Sequence, residues 1–441
     1  MKISPARKSA FEILLQIEKK NAFSSILLPI YEEKLEKKDR SLCREISLGV
    51  LRKKLYLDEI VKKFTNKNIE KFDLEVLIAL RIGLYQILFL ERIPDYSAIN
   101  ESVNLVKLAK KKSASGLVNA VLRKVTVREV ELKPSDEVDR ISVETSHPKW
   151  LIGKWIERFG IEDVRKLADI NNRKPELAFR FTKKFYDKTE EERRSISQRL
   201  KSISEPSGFV ENALVAKKMS EGLRRIAQEG LIYFQGEGSQ LIGEAVKLRN
   251  GESFFDSCAS PGSKVTQVAG RLDGENYLFA GDVHSHRMKT LRNNCDNQRA
   301  EFINLLQYDA TREFPFAETS FDVVLVDAPC SGTGTIRKNP EIRYRLKQSD
   351  FLSLHKKQLA ILNNASKVVK KSGRIIYSTC SLEVEENEDV VEDFLRENRG
   401  FVKVTPNLET HFITAKNYGV ITPQKDNSDG FFIAVLQRGV S

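Results

Sequence analysis

Two cysteines, Cys330 and Cys380, occupy similar places in the sequence. Each follows a short apolar run (321–327 or 373–378) and is itself followed by a serine in a polar loop. Most cysteines are inert core residues. If the two runs are neighbouring strands, however, both thiols reach the same edge of a sheet, and a thiolate is a strong nucleophile. The pattern therefore predicts a pair of reactive thiols.

Three aspartates stand at the end of, or just after, apolar runs earlier in the chain: Asp256, Asp282 and Asp309. A lone aspartate there is commonly a cap or turn residue. At the end of a strand it can also accept hydrogen bonds from ribose hydroxyls, and Asp309 could face an adenine amino group. The Pro261-Gly262 turn lets the backbone approach a ligand closely, although a plain tight turn would look the same. Together these residues favour a nucleoside cofactor.

Short apolar runs alternate with helical stretches from about residue 236 onward. The runs that read as strands are 253–256, 277–282, 302–306, 321–327 and 373–378. This alternation predicts an α/β domain over 236–441 with a mainly parallel sheet covered by helices on both faces. Ligands of such folds bind beyond the carboxyl ends of the strands, where the cysteines and aspartates lie.

The rest of the chain predicts two further domains. Residues 1–132 show apolar residues at helical spacing almost throughout, which predicts an all-α domain, and 130–140 is typical of a linker. Residues 145–235 predict a small α/β segment, with a strand at 177–181. The 441 residues also suit about three domains.

The net charge of +12 is unevenly distributed. Residues 1–250 carry 49 basic and 36 acidic side chains, whereas residues 251–441 carry 24 and 25. A basic surplus confined to one region indicates an anionic partner, most commonly nucleic acid, although charged helical faces are also usual on soluble proteins. At 41% hydrophobic and 30% charged residues, the composition excludes disordered and fibrous proteins.

The sequence predicts a cytoplasmic protein without a metal site. Five scattered cysteines and no Cys-x-x-Cys pair argue against a disulfide framework and against structural zinc. Glu12 and Glu18 interrupt the N-terminal apolar residues, which is unlike a signal peptide. The most apolar stretch, 76–90, contains Arg81 and is too short to span a bilayer.

Four motifs in this order resemble the RNA 5-methylcytosine methyltransferases that use S-adenosylmethionine. They are Asp256-x-Cys-Ala-x-Pro-Gly-x-Lys264, Asp327-Ala-Pro-Cys-Ser-Gly332, Ser378-Thr-Cys-Ser-Leu382 and Asp429-Gly-Phe-Phe432. The segments 94–100 (PDYSAIN) and 116–123 (GLVNAVLR) are similar to the NusB-like domain that precedes the catalytic part in bacterial small-subunit ribosomal RNA cytosine methyltransferases of the RsmB type. The resemblance thus extends over nearly the whole chain.

The resemblance implies methylation of C5 of a cytosine in 16S ribosomal RNA by a monomeric enzyme. Cys380 would add to C6 of the base, Asp327 would hold its N3 and amino edge, and Cys330 would assist loss of the C5 proton and product release. The residues implied to bind S-adenosylmethionine are Cys258, Ala259, Ser260, Pro261, Gly262, Ser263, Lys264, Asp282, Asp309 and Asp327.

Some features leave alternatives open. The family usually has Ala-Ala-Pro-Gly-Gly-Lys where this chain has Ser260 and Ser263, and Ser263 would cost about 1 kcal/mol if its φ were positive. Arg337, Asn339 and Pro340, just after the Cys330 loop, either shape an RNA channel or belong to a plain basic loop. A transfer RNA cytosine-5 methyltransferase would share the catalytic domain, but the helical domain favours ribosomal RNA. A non-catalytic RNA-binding adapter would not need Asp327 and both cysteines.

Overall fold

The computed structural model describes residues 3–127, 130–272 and 276–440, which form two compact units. The first unit takes in Met1–Lys174 and Ile336–Arg345, and the second takes in Pro175–Thr335 and Leu346–Ser441. The chain therefore leaves the second unit after Thr335 and returns to it at Leu346.

The first unit is helical. Its core surrounds one helix, α5, which is apolar on all sides apart from Glu75 in its first turn, Arg81 and Gln86. The Arg81 guanidinium is buried because it donates two hydrogen bonds, at 2.7 and 2.8 Å, to the Asp58 carboxylate. The helices of the N-terminal part are α1 (Pro5–Lys20), α2 (Ser24–Glu33), α3 (Lys37–Arg52), α4 (Lys54–Thr65), α5 (Leu74–Phe89), α6 (Asp95–Leu108), α7 (Ser115–Val127), α8 (Glu137–Thr145), α9 (Lys149–Phe159) and α10 (Ile161–Asn172).

Helices α8 to α10 lie where the sequence predicts a linker and the start of a separate segment. Asp136 caps α8 by accepting the Asp139 amide at 2.7 Å, so the helix begins inside the expected linker 130–140. Helix α8 packs on α4 and α9, and the Trp155 side chain of α9 is fully buried. The segment 145–235 is consequently divided between the units at Lys174, because the apolar faces of these helices are covered within the first unit.

The second stretch of the first unit, Ile336–Arg345, is held there by buried polar contacts. Glu341 accepts the Ser24 amide at 2.6 Å, and the fully buried Arg343 guanidinium donates to the carbonyl oxygens of Thr145 and Ser146. Arg337 is also buried and donates to the Lys174 carbonyl. Arg337 is thus a buried side chain of the first unit, and whether its neighbours Asn339 and Pro340 shape an RNA channel stays a prediction.

The second unit contains two sheets and the remaining helices. Its strands are β1 (Leu177–Phe181), β2 (Ser204–Pro206), β3 (Ala213–Ala216), β4 (Ile232–Phe234), β5 (Phe254–Asp256), β6 (Leu278–Asp282), β7 (Asn304–Gln307), β8 (Phe321–Asp327), β9 (Val369–Thr379), β10 (Phe401–Val404), β11 (Gly419–Ile421) and β12 (Phe431–Arg438). The helices are α11 (Lys183–Tyr186), α12 (Glu190–Lys201), α13 (Glu221–Gln228), α14 (Glu237–Val246), α15 (Ser263–Ala269), α16 (Ser285–Asn297), α17 (Ile342–Arg345, in the first unit), α18 (Gln348–Val368), α19 (Glu388–Glu397) and α20 (Pro423–Asp426).

The large sheet has the order β10-β12-β9-β8-β5-β6-β7, with β11 paired to β12. Strands β5 to β9 are parallel, and β10 to β12 add an antiparallel edge. Successive residues of a strand pack into different cores: Phe254 lies in one and Phe255 in the other. Helices α14 to α16 cover one face and α18 and α19 the other, which confirms the predicted α/β class.

The small sheet, ordered β2-β3-β1-β4, is antiparallel throughout. The predicted strand 177–181 is its β1. Phe179, Leu200 and Leu223 form its core with α12 and α13. Across the described residues, no helix is both long enough and apolar enough to span a membrane.

Candidate active site

The structure brings Cys330 and Cys380 together, with their sulfur atoms 3.1 Å apart. Strands β8 and β9 are parallel neighbours, and the registered pair Asp327 and Ser378 places both carboxyl ends at one edge of the sheet. The chain continues into the first cysteine loop (329–334) and the second cysteine loop (380–383). The Cys380 amide donates to Cys330 Sγ at 3.3 Å. The expected meeting of the two thiols is thus observed.

Cys330 lies in an environment that favours the neutral thiol. The hydrogen bond with Cys380, burial, and the negative charges of Cys380 and Glu386 raise the pKa of Cys330 well above that of an ordinary thiol. Cys330 is therefore a thiol at neutral pH, able to donate a hydrogen bond to its neighbour.

Asp327 lies at the end of β8 and accepts two hydrogen bonds. Lys264 Nζ donates at 2.6 Å and Ser378 Oγ at 2.9 Å. Burial by itself would lower the pKa of Lys264. This effect is outweighed by the charge and hydrogen bond of Asp327 and by the charges of Asp256 and Cys380, so the pKa of Lys264 is raised. Lys264 is therefore an ammonium ion that orients the Asp327 carboxylate, a contact that the sequence motif alone did not reveal.

Asp256, at the end of β5, is a completely buried carboxyl group. Its Oδ1 accepts the Cys258 amide at 3.4 Å, whereas its Oδ2 has no hydrogen-bond partner among the described residues. Burial and the charge of Asp327 raise the pKa of Asp256 to about 7. A buried oxygen without a donor indicates a place where a ligand donor can bind.

Asp282 and Asp309 differ in what their carboxylates do. Asp282 ends β6, is buried, and accepts the His284 amide at 3.1 Å. Asp309 follows β7 and accepts both the amide and the hydroxyl of Thr311, at 3.0 and 2.7 Å, and these bonds lower its pKa. Asp309 therefore acts as a turn residue in this structure, which is the plainer of the two interpretations of its position.

The loop after β5 contains Gly262 in a conformation that requires glycine. Its φ is +100°, and a Cβ atom there would lie 2.6 Å from Leu291 Cδ1. Ser263 instead begins helix α15 with helical backbone. The condition for a penalty at position 263 is therefore not met, because the positive φ belongs to the preceding residue, Gly262. Ser260 donates to the Arg287 carbonyl at 3.2 Å and fits its place as well.

Arg180 supports this loop from the small sheet, and the sequence analysis missed it. Its guanidinium is buried and donates to the Ser263 carbonyl at 3.0 Å and to Thr266 Oγ1 at 2.8 Å. Its Nε donates to Gln235 at 2.7 Å. The one available signal was an arginine in the middle of an otherwise apolar strand, 177–181.

The arrangement combines a pair of thiols with a paired carboxylate and ammonium group at one edge of a sheet. Such a set can perform covalent catalysis, because a thiolate supplies the nucleophile and the second thiol and the carboxylate can hold or move protons. Within the described residues, no cluster of three or more histidine, cysteine or acidic side chains could hold a metal ion.

Comparison with known proteins gives matches over nearly the whole chain. The 16S rRNA methyltransferase RsmB/F family model matches residues 244–437, and the NusB family model matches residues 4–127. A probable ribosomal RNA small subunit methyltransferase B of Bacillus subtilis is 31% identical, covering 99% of this chain and 100% of the relative. The ribosomal RNA small subunit methyltransferase B of Pasteurella multocida is 30% identical, covering 99% and 96%.

The solved structure of the protein PH0851 has the same fold, with a TM-score of 0.84, 23% identity, and coverage of 99% of this chain and 100% of that one. The fold and the whole-length relatives thus agree with the two family matches. The chain belongs to the RsmB/F family of 16S ribosomal RNA methyltransferases and carries an N-terminal NusB domain.

Proposed function

We propose that the protein transfers a methyl group from S-adenosylmethionine to C5 of a cytosine in 16S ribosomal RNA, in the cytoplasm, through a covalent adduct with Cys380. The observation that carries this proposal is the 3.1 Å approach of Cys330 and Cys380 beside the ion pair of Asp327 and Lys264. Family membership supports the substrate class.

Two thiols are useful because C5 of cytosine is a poor nucleophile. When the Cys380 thiolate adds to C6, the Sγ–C6 bond forms and the electron pair of the C5–C6 double bond moves toward C5, which can then accept a methyl group. Asp327, oriented by Lys264 and Ser378, holds the N3 and amino edge of the base and so favours the adduct.

The second half of the reaction returns the free enzyme. The C5–H bond breaks, its proton goes to a base, the C5–C6 double bond forms again, and the Sγ–C6 bond breaks. We assign Cys330 to assist this step. Its sulfur lies 3.1 Å from Cys380 Sγ, so its thiol proton can pass to that sulfur as the Sγ–C6 bond breaks, and the Cys330 thiolate formed in this way can take the C5 proton. The base must leave its stack to reach the site, so unpaired nucleotides are favoured.

The residues at the strand ends fit a cationic nucleoside cofactor. S-adenosylmethionine, when bound, supplies an electrophilic methyl group on a sulfonium centre. The unpartnered Oδ2 of Asp256 offers an acceptor for an ammonium group, and Asp282 lies at the position where ribose hydroxyls are held in related folds. Residues 258–264 would line the cofactor site. Asp309 would make the least specific contact, because its carboxylate already accepts a hydrogen bond from Thr311.

The substrate is tested by bisulfite sequencing of 16S ribosomal RNA and transfer RNA from cells with and without the gene. Loss of one 5-methylcytosine in 16S ribosomal RNA, restored by the gene, is the expected result. Loss of a transfer RNA site instead would identify the related activity. No change in either RNA, together with no transfer of tritium from labelled S-adenosylmethionine by the purified protein, would contradict the proposal.

Salt should weaken RNA binding much more than cofactor binding. The basic surplus lies in residues 1–250, so RNA binding should release counterions. We expect the affinity for a 16S fragment to fall about tenfold or more between about 50 and 200 mM salt, and that for S-adenosylmethionine to change by less than about threefold. Fluorescence anisotropy and calorimetry measure the two. Equal salt dependence of the two affinities would contradict the inference that the basic part of the chain binds RNA and not the cofactor.

Gly262→Ala should weaken S-adenosylmethionine binding, whereas Ser263→Gly should not. An alanine at φ +100° is strained by about 1–2 kcal/mol and meets Leu291, so the loop proposed to hold the cofactor should shift, and we expect a loss of affinity of about tenfold. Ser263 already has helical backbone, so its change to glycine should alter the affinity by less than about threefold. Calorimetry measures both. Tighter binding by Ser263→Gly would show that the serine does perturb the site.

A further inference from the structure

Glu386 is a buried carboxylate that contacts both cysteine loops. Its Oε2 accepts the Ser331 amide at 2.8 Å, and its Oε1 accepts Ser381 Oγ at 2.6 Å. Ser331 follows Cys330 and Ser381 follows Cys380, so one carboxylate reaches the residue after each thiol. Glu386 has no exposed surface, and Ser381 has 1%.

A third donor fixes this carboxylate on the sheet-covering helix α18. Gln358 Nε2 donates to Glu386 Oε2 at 2.9 Å and to the Pro329 carbonyl, in the first cysteine loop, at 3.0 Å. The three donors to the carboxylate are neutral: an amide N–H, a side-chain amide and a hydroxyl. Burying a carboxylate is costly unless donors surround it, and the three hydrogen bonds provide that compensation.

We propose that Glu386 is a positioning residue whose carboxylate holds the two cysteine loops together and so sets the separation of the Cys330 and Cys380 sulfurs. We call the hydrogen bonds from the Glu386 carboxylate to the two cysteine loops the clamp. Its consequence for catalysis rests on the proposed function, but the clamp itself is a property of the free protein. Glu386 touches neither thiol as a hydrogen-bond partner and acts through Ser331 and Ser381.

The charge of Glu386 has a second effect on the same pair. It is one of the causes that raise the pKa of Cys330, after the hydrogen bond to Cys380, burial and the charge of Cys380. A neutral side chain at position 386 should therefore lower the pKa of Cys330 and allow its alkylation at lower pH. This electrostatic effect needs to be separated from the clamp.

Two variants at position 386 separate the effect of the clamp from that of the charge. Glu386→Gln and Glu386→Ala both remove the charge, but only Glu386→Ala also removes the clamp. Glutamine keeps one acceptor oxygen for Ser331 and Gln358, and its amide group can donate to Ser381 Oγ. Alanine makes none of these bonds. The matched control is Glu392→Gln, an exposed position on α19.

The first readout needs neither RNA nor cofactor. Diamide takes two electrons and two protons from a pair of thiols and leaves a disulfide, and its rate reports how often the two sulfurs meet. Mass spectrometry of the Cys330–Cys380 peptide should show oxidation about tenfold slower in Glu386→Ala than in Glu386→Gln. The control should match the unmodified protein. Equal rates in the alanine and glutamine variants would overturn the proposal.

The second readout is steady-state methylation. In Glu386→Ala, kcat should fall about tenfold or more with KM changed by less than about threefold, and Glu386→Gln should recover most of kcat. A purely structural role would lower the melting temperature without this split. If the alanine variant does not fold, Ser381→Ala removes one end of the clamp together with the contacts of Ser381 Oγ to the hydroxyls of Ser331 and Thr333, and it should slow oxidation about threefold. An unchanged rate in Ser381→Ala would then reject the clamp.

The two proposals fail in distinguishable ways. If the unmodified protein does not methylate RNA, the proposed function is wrong, but the oxidation rates still test the clamp. If the unmodified protein methylates RNA, the proposed function stands. If Glu386→Ala and Glu386→Gln then have equal oxidation rates and equal kcat, Glu386 does not position the thiols.

Discussion

Cys380→Ala is expected to lower the rate of RNA methylation by about 10⁴-fold or more. Without the thiolate no adduct forms at C6, and C5 stays too weakly nucleophilic to take the methyl group. Cofactor binding should change by less than about threefold, because Cys380 is outside the 258–264 loop. Tritium transfer measures the rate, and a denaturing gel with labelled RNA reports the adduct.

Cys295→Ala is the matched control for this variant. Cys295 is buried in the apolar core of the same unit, where RNA is not expected to reach it. Its replacement should leave the rate unchanged and lower stability by about 1 kcal/mol. A Cys380→Ala protein that retained even a few per cent of the activity would rule out Cys380 as the nucleophile.

The meeting of the two thiols was predictable because it depends on strand order. Apolar runs 321–327 and 373–378 are close in the pattern of alternating strands and helices, and parallel strands end at the same edge of a sheet. Asp256, Asp282 and Asp327 were likewise predictable at strand ends, where the structure has them. The local sequence pattern is enough to predict the position of a residue wherever that position depends only on the strand to which the residue belongs.

Contacts that join distant segments were not predictable in this way. The Lys264 ammonium group lies on Asp327, 63 residues along the chain, although its loop motif suggested a cofactor contact. Glu386 belongs to an acidic run, 383–389, that looks like a solvated surface. Its burial depends on donors from α18 and both cysteine loops, which no periodicity encodes.

Domain limits were the least predictable feature. Segment 336–345 follows the first cysteine loop directly, yet its buried side chains belong to the helical unit. Glu341 and Arg343 are polar, so the sequence gives no apolar pattern to reveal their burial; their partners are the Ser24 amide and the carbonyls of 145–146. Polar burial of this kind is specified by hydrogen-bond partners that come from elsewhere in the chain.

The raised pKa of Cys330 fits the division of the reaction that we propose. Cys330 is held as a thiol by its hydrogen bond to Cys380, by burial and by two nearby negative charges. A residue that stays protonated is unsuited to attack the base but suited to serve when the adduct breaks down. Removing Cys330 should therefore stop the second half of the reaction rather than the first.

Cys330→Ala is accordingly expected to accumulate a covalent complex between protein and RNA. With S-adenosylmethionine and 16S RNA, Cys380 should still add to C6 and the base should still be methylated, but the Sγ–C6 bond should break slowly. A slowly migrating protein–RNA band should appear on a denaturing gel, and multiple turnover should fall by about 10²-fold or more. The unmodified protein should show at most a trace of that band.

The double variant Cys330→Ala, Cys380→Ala decides whether the complex has the proposed linkage. If Cys380 is the attacking residue, the band disappears in the double variant, and mass spectrometry of the single variant finds the nucleotide on Cys380. If Cys380→Ala forms the band and Cys330→Ala does not, the two cysteines have the opposite roles.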